Sequence, residues 1–229
     1  MLVGIKDVFF DLDHTLWDFE YNSRQSFVRI FVENKIAVEI DDFLRVYQPI
    51  NERFWKDYRE DKVSKKDLRY GRLKMSFDAL SMSVSDAQIN QLSEDYIRVL
   101  GLQNKLFPDT ENILTYLRDK GYKLHIITNG FEEVQWKKCV SSGIETYFEE
   151  FVSSESVGFK KPKPIVFEEA LRRAGAKANS SVMIGDNQEA DIQGALNVGM
   201  KIIFCNFDQQ INRGDYLEVN SLKEIKELL

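Results

Sequence analysis

The sequence predicts an α/β fold: an open, Rossmann-like parallel sheet with a helical domain inserted after its first strand. The first observation is a set of five short runs of Val, Ile, Leu and Phe, which are continuous rather than alternating. This pattern is typical of parallel strands that are covered on both faces. The second is that helix-like segments alternate with these runs, as expected for right-handed strand–helix–strand crossovers. The third is a long interval after the first run that contains only helix-like patterns.

The five strand patterns and the helices between them follow one another in regular order. The predicted strands are Val8–Phe10, Leu124–Thr128, Phe151–Ser153, Val182–Gly185 and Ile202–Cys205. Each helix pattern stops at or just before a glycine, and two follow or open with proline, which is the usual punctuation of helices. The predicted helices of this part are Asp109–Lys120, Glu132–Ser142, Pro164–Ala174 and Glu189–Val198.

The interval from Trp17 to Gly101 contains four predicted helices and no strand-like run. They are Ser23–Glu33, Asp41–Arg59, Lys65–Leu80 and Asp86–Leu100. Ser64 and Ser85 are expected to be N-caps, because a serine hydroxyl satisfies free N–H groups at a helix start. We therefore expect an α/β core over residues 1–16 and 102–229, and a helical domain over residues 17–101. An insert after a strand's carboxyl end lies where open α/β sheets bind ligands, so it is a candidate lid.

Composition narrows the classes of partner and compartment. The chain has 229 residues and a formal net charge of −6, which argues against a nucleic acid polymer as partner. Two cysteines are too few for a disulfide framework, and they favour a reduced, cytoplasmic protein. The N-terminus lacks a signal-peptide pattern, and no apolar run reaches the roughly 18 residues of a membrane span. We expect a cytoplasmic protein without a membrane partner.

Asp11 and Asp13 are the most informative residues of the chain. They lie one residue apart, directly after the first strand pattern. Two like charges so close raise the pKa of one member unless a cation intervenes. The arrangement suits one carboxylate as nucleophile or metal ligand and the other as proton donor. The structural alternative is that both are turn residues, since aspartate is common after strands.

Polar residues also follow three later strand patterns. Thr128 and Asn129 end the second, Lys161 lies in the loop after the third, and Asp186 and Asp191 follow the fourth. These positions converge on the expected ligand crevice of the sheet. Taken alone, the lysine could be a surface charge, and the two acids could favour a helix N-terminus through the helix dipole.

The order of these segments resembles the haloacid dehalogenase superfamily of aspartate-nucleophile phosphatases. The resemblance covers the whole chain, including a helical cap inserted after the first motif. Its four motifs are Asp-x-Asp-x-Thr at Asp11–Thr15, the strand-end Thr128, Lys161-Pro162, and Gly-Asp-x4-Asp at Gly185–Asp191. Two segments are similar to the pyrimidine 5′-nucleotidase branch of the superfamily: Phe9–Phe19 and Thr128–Phe131.

The resemblance implies a role for each matching residue. Asp11 would be the nucleophile that forms an aspartyl-phosphate, and Asp13 the general acid and base. Lys161, the Thr128 hydroxyl and backbone N–H groups near Asn129 would bind the phosphate oxygens.

A metal ion is expected because a phosphate monoester dianion would be repelled by the surrounding carboxylates. Oxygen ligands fit Mg²⁺, whereas two histidines and two distant cysteines give poor support for zinc. By resemblance, Mg²⁺ would be held by the Asp11 carboxylate, the Asp13 carbonyl and Asp186. Asp191 would be a further ligand, either directly or through water.

We therefore expect a Mg²⁺-dependent phosphomonoester hydrolase whose small substrate is a nucleoside 5′-monophosphate. Three alternatives stay open at this point: a phosphosugar phosphatase, a phosphoglucomutase-like phosphotransferase, and a catalytically idle regulatory protein on the same scaffold. A haloacid dehalogenase is disfavoured, since it has no need of Asp13 or Asp186. The pattern does not indicate which cap residues contact the substrate, or the oligomeric state.

Overall fold

Parallel strands form the centre of this protein in the computed structural model, which describes residues 1–209, 211, 214 and 216–229. Within these residues, one sheet has the order β3-β2-β1-β4-β5-β6, with every neighbouring pair parallel. The strands are β1 (Asp7–Phe10), β2 (Lys123–Thr128), β3 (Glu150–Ser153), β4 (Ser181–Gly185), β5 (Lys201–Cys205) and β6 (Glu218–Val219). The predicted open α/β sheet is confirmed.

The five predicted strands are all present, and each begins one residue earlier than the apolar run indicated. β6 was not predicted, because a pair of residues carries no recognisable pattern. All residues of β1 and β4 are buried, which confirms the expectation that the sheet is covered on both faces. Phe10 lies opposite Ile126 of β2 and Ile184 of β4, so the strands reach one edge in register.

Helices pack on this sheet and shape its carboxyl edge. They are α5 (Thr110–Asp119), α6 (Glu132–Ser141), α7 (Ser154–Val157), α8 (Pro164–Ala174) and α9 (Gly194–Asn197), with short 3₁₀ turns over Glu145–Tyr147, Ala178–Ser180 and Leu222–Glu227. One buried cluster between α8 and the sheet includes Phe9, Val166, Phe167 and Met183. Burial of such side chains contributes roughly 1.5–3 kcal/mol each, which fixes the edge rigidly.

The segment after β4 differs from the single predicted helix over Glu189–Val198. A π-helix spans Gln188–Gln193 and continues into α9. Asn187 caps the start of this helix, since its side-chain oxygen accepts the N–H groups of Glu189 (3.2 Å) and Ala190 (2.8 Å). Its carbonyl also accepts the Asp191 N–H at 2.9 Å. π-Helices are rare and often occur at functional sites.

The described residues divide into two compact units, residues 1–19 with 104–229, and residues 20–103. The predicted domain boundaries, after residues 16 and 101, fall near these limits, and the division into functional domains stays a prediction. No helix of the described residues has the length and apolar character that crossing a membrane requires.

The helices of the smaller unit match the sequence prediction closely. They are α1 (Phe19–Glu33), α2 (Ile40–Arg59), α3 (Lys65–Ala79) and α4 (Asp86–Leu100), the first residue of α1 belonging to the larger unit. The predicted N-caps Ser64 and Ser85 are confirmed. Each forms a reciprocal capping box, with Asp67 and Gln88 respectively.

Aromatic side chains fill the interior of the helical unit. The Phe27 ring lies 4.4 Å from that of Tyr96, 4.7 Å from that of Tyr47 and 4.8 Å from that of Phe43, measured between centroids. These rings are buried and packed on one another. They therefore form the core of the unit.

Candidate active site

Lys161 lies at the centre of the predicted site. Lys161 is 1% exposed. Its ammonium donates hydrogen bonds to Asp11 Oδ1 (2.6 Å), Asp191 Oδ1 (2.6 Å) and the Ile127 carbonyl (2.7 Å). An ammonium has three N–H donors, and these three contacts occupy them. The single cation thus joins the end of β1, the end of β2 and the π-helix.

Three carboxylates surround this one ammonium. Asp11, Asp186 and Asp191 each place an oxygen within 4.8 Å of the others. Burial has the largest effect on the pKa of Asp11 and raises it. Lys161 lowers this pKa, the charges of Asp191 and Asp186 raise it, and the result is a pKa of about 8. Burial of its carboxyl group and the Asp191 charge raise the pKa of Asp186 to about 8 as well. These two carboxyl groups therefore resist ionisation as long as Lys161 is the cation beside them.

Lys161 keeps its positive charge in these surroundings. Burial lowers the pKa of its ammonium, but the charges of Asp11 and Asp191 outweigh burial and raise that pKa above its usual value. One lysine still leaves two carboxylates uncompensated.

The donor set of this cluster fits a hard divalent cation. Carboxylate oxygens without nitrogen or sulfur partners are the ligands that Mg²⁺ prefers. Asp191 is committed elsewhere in this structure, because its Oδ1 accepts Lys161 and its Oδ2 accepts the Asn187 N–H at 3.0 Å. Asp186 Oδ1 accepts the Thr15 hydroxyl at 3.2 Å, which orients that carboxylate.

Gly185 allows the close approach of Asp191. A Cβ at position 185 would lie 2.5 Å from Asp191 Oδ2, closer than atoms can approach without displacement. Residue 185 is the last of β4, directly before Asp186. The absence of a side chain there is therefore required for the carboxylate arrangement.

Asp13 is held by two residues that the sequence analysis missed. Lys138 of α6 donates to Asp13 Oδ1 (2.6 Å) and Oδ2 (2.9 Å), and Gln135 donates to Oδ2 (3.0 Å). Gln135 Nε2 also donates a hydrogen bond to the Thr128 hydroxyl, at 2.7 Å. Burial lowers the pKa of the Lys138 ammonium, although the Asp13 charge opposes this effect.

A signal for these two residues exists in the sequence. Val134, Gln135, Lys138 and Cys139 recur at helical spacing, and all four are buried. Two long polar side chains on an otherwise apolar helix face must find partners, because burial without hydrogen bonds is costly. Only the tertiary structure identifies Asp13 as that partner.

Thr128 and Asn129 end β2 beside the carboxylate cluster. The Thr128 hydroxyl accepts the Gly130 N–H at 3.2 Å. The Asn129 side chain accepts the Lys161 N–H (2.8 Å) and donates to the Lys161 carbonyl (3.0 Å), so it anchors the lysine loop.

The structure thus brings Asp11, Lys161, Asp186 and Asp191 together, and it connects Asp13 to Thr128 through Gln135. The catalytic, phosphate-binding and metal-binding roles assigned to these residues stay predictions. Such a cluster, with strongly raised pKa values beside a buried cation, is typical of functional sites.

Comparison with known proteins places this geometry in context. The model of the haloacid dehalogenase-like hydrolase family matches residues 5–199. The crystal structure of the HAD-hydrolase YfnB of Bacillus subtilis bound to magnesium superimposes with a TM-score of 0.89. It is 26% identical and covers 98% of each chain.

Two curated relatives span almost the full length of the chain. A glyceraldehyde 3-phosphate phosphatase of Methanothermobacter thermautotrophicus is 36% identical over 222 residues, covering 95% of this chain and 93% of the relative. The pyrimidine 5′-nucleotidase YjjG of Escherichia coli is 31% identical over 226 residues, covering 97% and 96%. The two relatives are thus named for different phosphorylated substrates.

Proposed function

Because the chain belongs to the haloacid dehalogenase-like hydrolases, we propose that it is a Mg²⁺-dependent phosphomonoester hydrolase that acts through an aspartyl-phosphate at Asp11. The observation that carries this proposal is the buried Lys161 ammonium, 2.6 Å from Asp11, beside two further carboxylates. A carboxylate nucleophile that is held by one cation, beside carboxylates that can bind a second cation, suits attack on a phosphate dianion.

The first step forms a covalent intermediate. An Asp11 carboxylate oxygen attacks phosphorus in line, so that a bond from that oxygen to phosphorus forms while the bond to the ester oxygen breaks. Protonated Asp13 donates its proton to the ester oxygen, and the first product leaves as an alcohol. Lys161 stabilises the negative charge around Asp11, and the Thr128 hydroxyl would bind a phosphate oxygen.

The second step releases phosphate. Asp13, now a carboxylate, takes a proton from a water molecule while the water oxygen attacks phosphorus. The bond between phosphorus and Asp11 breaks, inorganic phosphate leaves, and Asp11 returns to its carboxylate form. Asp13 is protonated again, so the cycle is balanced without any further reactant.

Mg²⁺ would be held by Asp11, the Asp13 carbonyl and Asp186, and when bound it would neutralise the charge that develops on the phosphate oxygens. Asp191 already accepts hydrogen bonds from Lys161 and the Asn187 N–H, so it would contribute to the metal site through water and hold Lys161 in place. The surplus of carboxylates over the single ammonium supports this assignment.

Our leading substrate class is the pyrimidine nucleoside 5′-monophosphates. The segments Phe9–Phe19 and Thr128–Phe131 are similar to the pyrimidine 5′-nucleotidase branch. Two relatives at 31% and 30% identity carry that name, one from Escherichia coli and one from Streptococcus pneumoniae. A small substrate agrees with the net charge of −6, which disfavours a nucleic acid polymer.

A second candidate is glyceraldehyde 3-phosphate, favoured by the relative at 36% identity. The chemistry at Asp11 would be the same for both substrates, and only the leaving group would differ. A cytoplasmic location is part of the proposal, supported by the two buried free thiols, Cys139 and Cys205.

Dehalogenation is the competing reaction on this fold. A 2-haloacid dehalogenase of Pseudomonas syringae has a TM-score of 0.67 at 28% identity. A halide leaves without needing a proton, so that reaction gives Asp13 no task. The hydrogen bonds that Lys138 and Gln135 donate to Asp13 therefore favour phosphoester hydrolysis.

One assay series tests these assignments. Purified protein is incubated with pyrimidine and purine nucleoside 5′-monophosphates, glyceraldehyde 3-phosphate, a hexose phosphate and a 2-haloacid, each with Mg²⁺ or with EDTA. We expect phosphate release that requires Mg²⁺, with the highest kcat/KM for a pyrimidine nucleotide.

The same series can overturn each level of the proposal. Preference for glyceraldehyde 3-phosphate would favour the second substrate, and isomerised hexose phosphate would indicate a phosphotransferase. Halide release would establish a dehalogenase, and full activity of Asp11→Asn would exclude the proposed nucleophile.

A further inference from the structure

We infer that Lys138 and Gln135 are positioning residues, which fix the direction of the Asp13 carboxylate for its two proton transfers. The inference rests on the proposed phosphomonoester hydrolysis. It assigns a task in that reaction to two residues of α6 that lie outside the four sequence motifs.

The geometry of the Asp13 carboxylate is the first argument. Both of its oxygens accept hydrogen bonds from the Lys138 ammonium, at 2.6 and 2.9 Å. Oδ2 also accepts a hydrogen bond from the Gln135 amide at 3.0 Å. Three charge-assisted or amide hydrogen bonds from one helix define both the position and the plane of the carboxylate. Asp13 itself is only half-buried, so without them its side chain would be free to rotate.

The surroundings of Lys138 are the second argument. The residue is 2% exposed, and its ammonium lies 4.2 Å from the centroid of the Trp17 ring and 5.4 Å from that of Phe19. Aromatic faces attract a cation but accept no strong hydrogen bond. The carboxylate of Asp13 is therefore the anion toward which this buried cation is directed.

The link to the phosphate-binding residue is the third argument. Gln135 Nε2 donates both to Asp13 Oδ2 and to the Thr128 hydroxyl. Gly130 makes room for this side chain, since a Cβ there would lie 2.3 Å from Gln135 Cδ. One amide thus sets the distance between the proton donor and a group that binds the transferred phosphate.

This role predicts a dependence on the leaving group. An alkoxide needs a proton as it departs, whereas 4-nitrophenolate leaves readily without one. Misplacing Asp13 should therefore slow the first step for an alkyl phosphate by about 10²-fold and leave it nearly unchanged for 4-nitrophenyl phosphate. The second step needs Asp13 as base whichever ester was used, so kcat should fall for both.

The experiment compares Lys138→Met with wild type and with Lys137→Met, an exposed lysine on the same helix. The substrates are the best alkyl monoester of the assay series and 4-nitrophenyl phosphate. We expect Lys138→Met to lower kcat/KM about 10²-fold for the alkyl ester only. With the aryl ester, it should show a burst of one 4-nitrophenolate per active site before a slow steady state.

Three outcomes would contradict the inference while leaving the hydrolase assignment intact. They are equal loss of kcat/KM for both esters, unchanged kinetics, and the same losses in Lys137→Met. Lack of phosphate release by the wild type from every ester would instead defeat the proposed function, and the inference with it.

Two further variants cover the case in which Lys138→Met does not fold. Lys138→Arg keeps a cation at this position, so it should retain more of the alkyl-ester rate than Gln135→Leu does. Gln135→Leu should show the same leaving-group dependence, with an added rise in KM through Thr128. Thermal unfolding of each variant identifies those that are folded, and equal loss on both esters in the folded ones would refute the inference.

Discussion

The two ends of strand β1 carry buried aspartates with very different surroundings. At the amino end, Asp7 is 5% exposed and its Oδ1 lies 3.3 Å from Nε2 of the buried His125. At the carboxyl end, Asp11 is 8% exposed and bonded to Lys161. The two acids are thus almost equally buried, and burial alone does not distinguish a structural acid from a functional one.

The neighbours of the two acids do distinguish them. Asp7 faces one ring nitrogen of His125, a side chain that is charged only when protonated. Asp11 shares one ammonium with Asp191 and lies close to Asp186, so three acids surround one base. Buried charge that the protein leaves uncompensated is a cost to folding, and its retention indicates a ligand of opposite charge.

The largest contrast should come from neutralising each acid in turn. Asp11→Asn removes the proposed nucleophile and should lower kcat by several orders of magnitude. Asp7→Asn should keep near-wild-type kcat. It should lower the free energy of unfolding by about 1 kcal/mol, because its hydrogen bond to His125 is weaker. Steady-state kinetics and urea unfolding of both variants measure the difference. Similar kinetics in the two variants would erase the distinction.

The next effect should come from removing the shared cation. Lys161→Met leaves Asp11 and Asp191 buried without a cation, which should cost about 3–5 kcal/mol in unfolding free energy near neutral pH. Loss of the cation beside the proposed nucleophile Asp11 should lower kcat about 10²–10³-fold. The neighbouring Lys160→Met serves as the control, with small effects on both. A stable, active Lys161→Met enzyme would show that the ammonium is dispensable.

A smaller effect should appear as a pH dependence that metal reverses. The folded pKa values of Asp11 and Asp186, about 8, lie above their unfolded values near 3.8. The folded state therefore holds extra protons between these limits, and metal-free stability should fall as pH rises from about 4 to 8. Mg²⁺ should offset that loss, so it should raise Tm more at pH 8 than at pH 5.

Thermal unfolding with Mg²⁺ or EDTA at both pH values measures this effect. Asp186→Asn should reduce the Mg²⁺ response, whereas Asp7→Asn should retain it. An equal Tm rise at the two pH values would contradict the assignment of the carboxylates as the ion's ligands.

The smallest effect should come from His125, the histidine that faces Asp7. Burial lowers the pKa of His125 below 6.5, although Asp7 opposes this effect. The unfolded chain then binds more protons below that pH, so stability should fall as the solution is acidified from about pH 7 to 5. His125→Gln should weaken that acid sensitivity by about 1 kcal/mol and leave kcat unchanged. Chemical unfolding at the two pH values is the measurement.

The sequence predicted the sheet well because each of its five longer strands is one continuous apolar run. Their buried faces demand such runs, and the helices between them end at glycine. The two-residue β6 was missed because it is too short for a pattern. The π-helix over Gln188–Gln193 was predicted as ordinary helix, since its wider turn is a matter of backbone hydrogen bonds and leaves no mark on the apolar pattern.

The carboxylate cluster was predictable from motif order, because parallel strands end at one edge of the sheet. Lys138 and Gln135 were missed because the sequence alone does not distinguish a buried polar side chain from one on the surface. The commitment of the Asn129 side chain to the Lys161 loop was also out of reach, since it depends on a tertiary contact 32 residues away. Pairings of this kind are determined by packing rather than by local pattern.

The contact between Gly185 and Asp191 constrains how this gene can diverge. Because the carboxylate lies against the glycine, the number of residues between them is fixed. One inserted residue would rotate Asp191 around the helix axis and carry it away from Lys161. Descendants of this chain can exchange side chains within that segment, but they cannot lengthen or shorten it and keep the same chemistry.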